Sequence, residues 1–189
     1  MKTSLLRQLG SLLILTWTVI PCAQGQAMYL RLDSVKGSAT APAFKDQMVV
    51  LDFSYAITTS DSTGVATGKA TPGNLVMTKT IDISTPVLAQ AAATGQPFQQ
   101  AILSVTLPQQ GEQKTVYTIT LSNVRVVGVS QTGTTSVGHF DPLTEKVSLN
   151  YASIVWAYGF TKSGYNFSTN QSADVPDDSD SDSDSDNGQ

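Results

Sequence analysis

Apolar and polar side chains alternate most clearly over residues 147–151. Val147, Leu149 and Tyr151 alternate with the polar residues Ser148 and Asn150, as in a strand with one buried face. Similar patterns elsewhere complete a set of six predicted strands, near residues 28–35, 47–59, 74–82, 99–107, 114–129 and 145–158. The pattern therefore predicts a domain built mainly from strands.

One short Ala-rich segment carries the signals of a helix at both of its ends. Thr85 suits the N-cap, Pro86 suits the first helical position and Gly95 suits the C-terminal cap. We therefore expect a single helix over residues 85–94, outnumbered by strands.

Four stretches, taken in order, resemble the Hcp family, the tube proteins of bacterial type VI secretion systems. They cover the chain from about Met28 to Tyr158. They are MYLRLDSVKGSA from Met28, the strand and helix region KATPGNLVMTKTIDISTPVLAQAAATGQPFQ from Lys69, the turn DPLT from Asp141, and the strand TEKVSLNYA from Thr144. No single tripeptide among them is diagnostic, and the resemblance lies in their order.

The resemblance implies a fold and a function for residues 28–167. The expected fold is a β-barrel-like domain of two packed antiparallel sheets with one short flanking α-helix. The expected function is structural, not enzymatic: a homohexameric ring that stacks into a hollow tube and can carry small effectors in its lumen. The partners would be further copies of the chain and secretion-spike, sheath or effector proteins, without nucleic acid.

The segment from Thr58 to Gly73 is rich in Gly, Ser and Thr and is longer than a hairpin connection needs. The resemblance implies that roughly Ser60 to Pro72 project from the ring and contact the next ring. The alternative interpretation is an ordinary surface loop.

Residues 1–25 have the three-part layout of a secretory signal peptide. Lys2 and Arg7 precede an apolar run over residues 12–20, which is too short to span a bilayer. Small residues at Ala23 and Gly25 place the expected cut before Gln26, and a cut after Ala27 is the alternative. We therefore predict an exported protein, periplasmic or secreted, without a stable membrane span. The alternative is translation from Met28, with cytoplasmic protein loaded into a type VI machine.

Cys22 is the sole cysteine of the chain, which raises the possibility of a lipoprotein. Pro21 argues against acylation, because a lipoprotein cut needs a small flexible residue just before the cysteine. Removal of the leader would leave a mature chain without disulfide or thiol chemistry.

Residues 168–189 are predicted to form a disordered acidic tail of Ser and Asp repeats. Seven of the 15 acidic residues lie at or after Asp174, which leaves eight against nine basic residues between Met28 and Phe167. The core is therefore near neutral, and the low isoelectric point belongs to the tail. The tail is interpreted as a solvated terminus, with weak cation binding as the alternative.

The sequence has few candidates for catalytic or metal-binding residues, and we predict no catalytic, cofactor-binding or metal site. His139 is the sole histidine and lies in a Gly-His-Phe turn. Asp141 and Glu145 are four residues apart, as a hydrolase pair could be, but they fit the turn before the last strand pattern. The remaining carboxylates in or beside strand patterns are interpreted as solvated or turn-capping groups: Asp33, Asp52 and Asp82.

Aromatic side chains near the end of the domain have two interpretations. Tyr151, Trp156 and Tyr158 could line a sugar-binding face, but core or subunit-interface packing is favoured because their strand must also supply the core. Asn166 and Asn170 satisfy the glycosylation pattern, which is interpreted as incidental.

The signal peptide conflicts with the family's usual route, because tube proteins are loaded from the cytoplasm. The hypothesis that fits the whole sequence is an exported, ring-forming structural protein that resembles Hcp. The alternative hypothesis is an exported monomeric β-sandwich that binds a carbohydrate or a surface partner.

Overall fold

The computed structural model describes residues 25–59, 69–133 and 143–173. Within them the chain forms one α-helix, one short 3-10 turn at Pro42–Phe44 and a series of strands. In chain order the elements are β1 (Ala27–Leu32), β2 (Met48–Ser54), β3 (Ile57–Thr59), β4 (Ala70–Pro72), β5 (Leu75–Thr80), α1 (Thr85–Thr94), β6 (Pro97–Gln109), β7 (Glu112–Thr132), β8 (Thr144–Asn150), β9 (Ser153–Tyr158), β10 (Thr161–Asn166) and β11 (Gln171–Ser172).

Six of the strands close into an antiparallel barrel in the order β7, β6, β1, β2, β5, β8. The barrel closes because β8 pairs with β5 on one side and with β7 on the other. The predicted mainly β, barrel-like fold with one short helix is confirmed. The two packed layers are opposite walls of one continuous sheet.

Strand β7 is long enough, at 21 residues, to serve two parts of the sheet. Its last part, from Arg125 to Thr132, pairs with β8 and closes the barrel. Its middle part, from Tyr117 to Ser122, pairs with β9, which begins an extension continued by β10 and β11. The sheet therefore divides at β7 into a closed barrel and a flap, by which we mean strands β9 to β11.

The barrel interior is filled by apolar side chains at alternate strand positions. Leu75 and Met77 of β5 and Val147 and Leu149 of β8 are fully buried in it. Ile154 and Phe167 extend the same core beneath the flap. This is the arrangement that the period-two patterns predicted.

A second, smaller apolar cluster lies on the outer side of β1 and β2. Its centre is the stacked pair Tyr29 and Phe44, whose ring centroids are 4.4 Å apart. Phe44 reaches this place because the segment between the two strands folds back on β2. Gly37 permits the close approach: a Cβ there would lie 2.4 Å from the carbonyl oxygen of Gln47.

The structure differs from the sequence predictions in three places. The segment from Thr58 to Gly73 is not a loop throughout, because β3 and β4 pair at its two ends. The described chain continues past Phe167 into β11, within the predicted tail. Strand β10 was not predicted, since Lys162, Ser163 and Gly164 break the apolar alternation.

Two predicted terminal segments lie mainly outside the described residues. These are the signal peptide over residues 1–25 and the acidic tail after Ala173. Among the described residues, no helix has the length and apolar character needed to cross a membrane.

Candidate functional site

The most distinctive side-chain cluster lies between helix α1 and the end of the barrel. Lys79 is fully buried, and its ammonium donates three hydrogen bonds. The acceptors are the Thr80 carbonyl oxygen at 2.8 Å, Asp82 Oδ1 at 2.9 Å and Glu145 Oε1 at 2.8 Å. Since an ammonium has three donors, its hydrogen-bonding capacity is filled. We call Lys79, Asp82, Ser84, Thr85 and Glu145 the helix-anchoring cluster.

The cluster arises where two inward-facing rows of side chains meet. Lys79 follows Leu75 and Met77 on the inner face of β5, and its neighbour in the β5–β8 register is Glu145. A fully buried ion pair thus occupies two core positions at one end of the barrel. The sequence signal for this pair is a charged residue in phase with an apolar row, since Lys79 follows Leu75 and Met77 at alternate positions, but the pair was not predicted.

Asp82 connects the ion pair to the start of the helix. Its Oδ1 accepts a hydrogen bond from the Ser84 backbone N–H at 2.9 Å, and its Oδ2 accepts one from the Ser38 N–H at 3.2 Å. Burial alone would raise the pKa of Asp82, but hydrogen bonds from Ser84 and Lys79 and the Lys79 charge together hold the pKa below its ordinary value of 3.8. The carboxylate is therefore the favoured form.

Thr85 completes the cluster from the helix side. Its hydroxyl donates to Glu145 Oε1 at 2.8 Å and accepts from the Asp82 backbone N–H at 3.1 Å. The predicted N-cap at Thr85 is wrong by one residue: the helix begins at Thr85, and Ser84 is the capping residue. Neither side chain caps a backbone N–H of the helix: the Thr85 hydroxyl bonds Glu145 and Asp82, and Ser84 makes no side-chain capping bond.

The other end of the helix follows the prediction. Gly95 caps α1 in the left-handed conformation, with φ of 69°, and its N–H bonds the Ala91 carbonyl oxygen. Arg125 of β7 donates to the Gly95 carbonyl oxygen at 2.8 Å. The helix is therefore fastened to the barrel at both ends.

The carboxylates singled out in the sequence separate in the structure. Glu145 is not in a turn before the strand but inside β8, 1% exposed. Its predicted turn partner Asp141, like His139, lies outside the described residues. Asp33 accepts hydrogen bonds from the backbone N–H groups of Gln99 and Gln100 of β6, at 2.8 and 3.0 Å, and so binds a strand and not a turn.

The two other strand-associated carboxylates differ from each other. Asp82 has the turn-capping role that was one of its two predicted roles, since it caps the turn before α1. It does not have the other role, that of a solvated group, because its side chain is only 6% exposed. Asp52 lies on the exposed side of β2. The described residues contain no group of three metal-ligating side chains.

The three aromatic side chains that were the alternative candidates for a sugar-binding face do not form one. Tyr151 is buried in the core, and its hydroxyl has no hydrogen-bond partner among the described residues. Trp156 packs against the core and donates from Nε1 to the Tyr55 hydroxyl at 2.8 Å. Only Tyr158 is largely exposed, so the core-packing interpretation holds for Tyr151 and Trp156.

The phenol groups near Trp156 are held in their neutral form. Burial, with a smaller contribution from Tyr55, raises the pKa of Tyr151 to about 12. Burial and a hydrogen bond with Tyr55 raise the pKa of Tyr117 as well. Both phenol groups take part in packing the core.

A closed barrel with a helix fastened to its end and a flap beyond it defines a small β-barrel domain. Comparison with known proteins shows the family to which this domain belongs. Residues 29–158 match the model of the family described as "Type VI secretion system effector, Hcp". Protein hcp1 of Pseudomonas aeruginosa is 32% identical over 161 residues, which cover 77% of this chain and 98% of that protein.

Solved structures agree with this match. The crystal structure of Hcp1 from Salmonella typhimurium superposes with a TM-score of 0.69 at 22% identity, covering 79% of this chain and all of that one. A structure described as a type six secretion system protein gives 0.70 at 27% identity, covering 78% and 99%. The chain belongs to the Hcp family of type VI secretion proteins.

Proposed function

We propose that this protein is a structural subunit that assembles with copies of itself into hexameric rings, and that the rings stack into a hollow tube. The observation that carries the proposal is the family match over residues 29–158, which spans nearly the whole barrel and the first strand of the flap. No enzymatic activity is assigned to it.

The exposed surface of the described residues supports self-association. Large apolar side chains are solvent-exposed on several elements, among them Tyr158, which is 70% exposed, and Phe160, which is fully exposed. Others lie beside or on α1 and on β7: Ile83, Val87 and Val127. These side chains are available for burial against neighbouring copies in a symmetric ring.

Export through a cleaved leader is part of the proposal. The basic start, apolar run and polar end of residues 1–25 support export. The rings would then form in the periplasm or outside the cell. Effector carriage in the lumen is proposed on the family resemblance alone. Cell fractionation tests the leader: we expect the processed chain outside the cytoplasm, whereas an unprocessed cytoplasmic chain would refute export.

Assembly is tested by negative-stain electron microscopy of the purified processed protein. We expect six-fold rings in top views and stacks in side views. Deletion of residues 61–68, which keeps β3 and β4, should preserve rings and shorten the stacks, because this segment is proposed to contact the next ring. Unchanged stack lengths would refute that contact, and single particles the size of one subunit would refute assembly.

A further inference from the structure

We propose that Gln26 becomes the N-terminal residue of the exported protein and cyclises to pyroglutamate. The modification would give a chain whose N-terminus is neutral and blocked. The inference rests on the proposed removal of residues 1–25, and it adds a covalent modification site to that proposal.

Gln26 is the first residue outside the hydrogen-bonded sheet. The residue after it, Ala27, begins β1 and pairs with Thr106 of β6. The Thr106 hydroxyl also donates to the Ala27 carbonyl oxygen at 3.0 Å. The chain is thus held from Ala27 onward, and a cut before Gln26 leaves one residue free at the start of a fixed strand.

The side chain of Gln26 is available for the reaction. The residue is exposed, and its side chain makes no hydrogen bond within the described parts of the chain. The side-chain amide can therefore fold back onto its own backbone nitrogen. From Ala27 onward the backbone is fixed by its pairing with β6.

The reaction needs no oxidant and no cofactor. The neutral α-amine of Gln26 attacks the side-chain carbonyl carbon, a carbon–nitrogen bond forms, and the bond to the amide nitrogen breaks. Ammonia leaves with the proton that the amine gives up, and a five-membered lactam remains. Because an α-amino group has a pKa of about 7.7–8.0, part of it is neutral and reactive near physiological pH.

The surroundings suit a neutral group that carries a carbonyl. In the uncut chain Gln113 Nε2 donates to the Gly25 carbonyl oxygen at 3.2 Å, and this acceptor leaves with the leader. The lactam adds a carbonyl acceptor beside the Gln113 side-chain amide, whose Oε1 accepts a hydrogen bond from the Thr106 hydroxyl. The groove beside Gln26, about 460 Å³, is lined partly by apolar side chains, including Tyr29, Ala41 and Val49.

The test is mass spectrometry of the full chain, expressed with its own leader and recovered after export. We expect the mass of residues 26–189 reduced by that of one ammonia molecule, with the loss located on the N-terminal peptide by fragmentation. Edman degradation should be blocked until pyroglutamyl aminopeptidase is added. The matched control is Gln26→Asn, whose side chain is one methylene shorter and would have to form a strained four-membered ring.

Each alternative outcome is distinct. A chain that starts at Gln26 and keeps a free amine after prolonged incubation overturns the cyclisation and leaves export intact. A chain that starts at Met28 is exported but cut elsewhere, and it also overturns the modification. A chain that retains residues 1–25 overturns both this inference and the proposed export.

Discussion

At the residue scale, a buried cluster of charged groups is the feature that most distinguishes this molecule from an ordinary apolar barrel. One ammonium, on Lys79, serves the carboxylates of Asp82 and Glu145. The excess negative charge is tolerated because Ser84 and Thr85 donate further hydrogen bonds to those carboxylates. The value of such a cluster lies in specifying one position for the helix more than in net stability.

Removing the shared cation should be strongly destabilising. Lys79→Met leaves two buried carboxylates without their cation, and we expect a loss of about 3–5 kcal/mol in the free energy of unfolding. Urea unfolding followed by circular dichroism measures it. Lys146→Met, on the exposed side of β8, is the matched control and should change stability by less than about 0.5 kcal/mol. Equal effects of the two substitutions would refute the role of Lys79.

Acid should weaken the cluster through Asp82. Its pKa is depressed in the folded protein, so its contribution to stability is present above the ordinary value of 3.8 and is lost as the pH falls through the folded pKa. Asp82→Asn removes that titration. We therefore expect the stability of the variant to decline less steeply with acid than that of the unmodified protein. Parallel curves of unfolding free energy against pH would contradict this.

The buried hydroxyl of Tyr151 should be dispensable. It has no hydrogen-bond partner in the described part of the chain, so Tyr151→Phe removes a desolvated polar group without breaking a bond. We expect stability to stay the same or rise by about 1 kcal/mol. Tyr165→Phe is the control that does remove a hydrogen bond, to Asn170 at 2.8 Å. A clear loss of stability in Tyr151→Phe would show that the hydroxyl has a partner.

At the element scale, the sequence was sufficient where a single local rule applied. The caps around residues 85–94 predicted α1, and the alternation of Val147 and Leu149 predicted where β8 begins. The single strand predicted near residues 145–158 is two strands in the structure, β8 and β9, separated at Tyr151 and Ala152. Strand β10 was missed because Gly164 and its polar neighbours form a strand only by pairing with β9. The helix-anchoring cluster depends on the register between β5 and β8, which no local pattern encodes.

The end of α1 offers a test at this scale. Gly95 adopts φ of 69°, where a side chain is strained, so Gly95→Ala should cost about 1 kcal/mol in unfolding free energy. Gly128→Ala is the control, since Gly128 does not have the left-handed conformation and a Cβ there would meet Ser148 at an ordinary 3.6 Å. Thermal unfolding compares the two variants. A tolerated Gly95→Ala would mean that the helix ends differently.

At the scale of the whole molecule, the family resemblance predicted what the residue patterns could not: closure of the barrel. Closure requires β7 to be shared between β8 and β9, an arrangement set by the topology of all the strands. A closed barrel leaves few free strand edges, and the described edge strand β11 has only two residues. Assembly through the exposed apolar side chains, not edge aggregation, therefore remains our prediction.

Light scattering coupled to size exclusion on the processed chain, residues 26–189, measures directly whether the protein is a hexamer. We expect a dominant species with six times the mass of one chain. A dominant monomer at the same concentration would contradict it, and would mean that the fold of the Hcp family is present here without its ring.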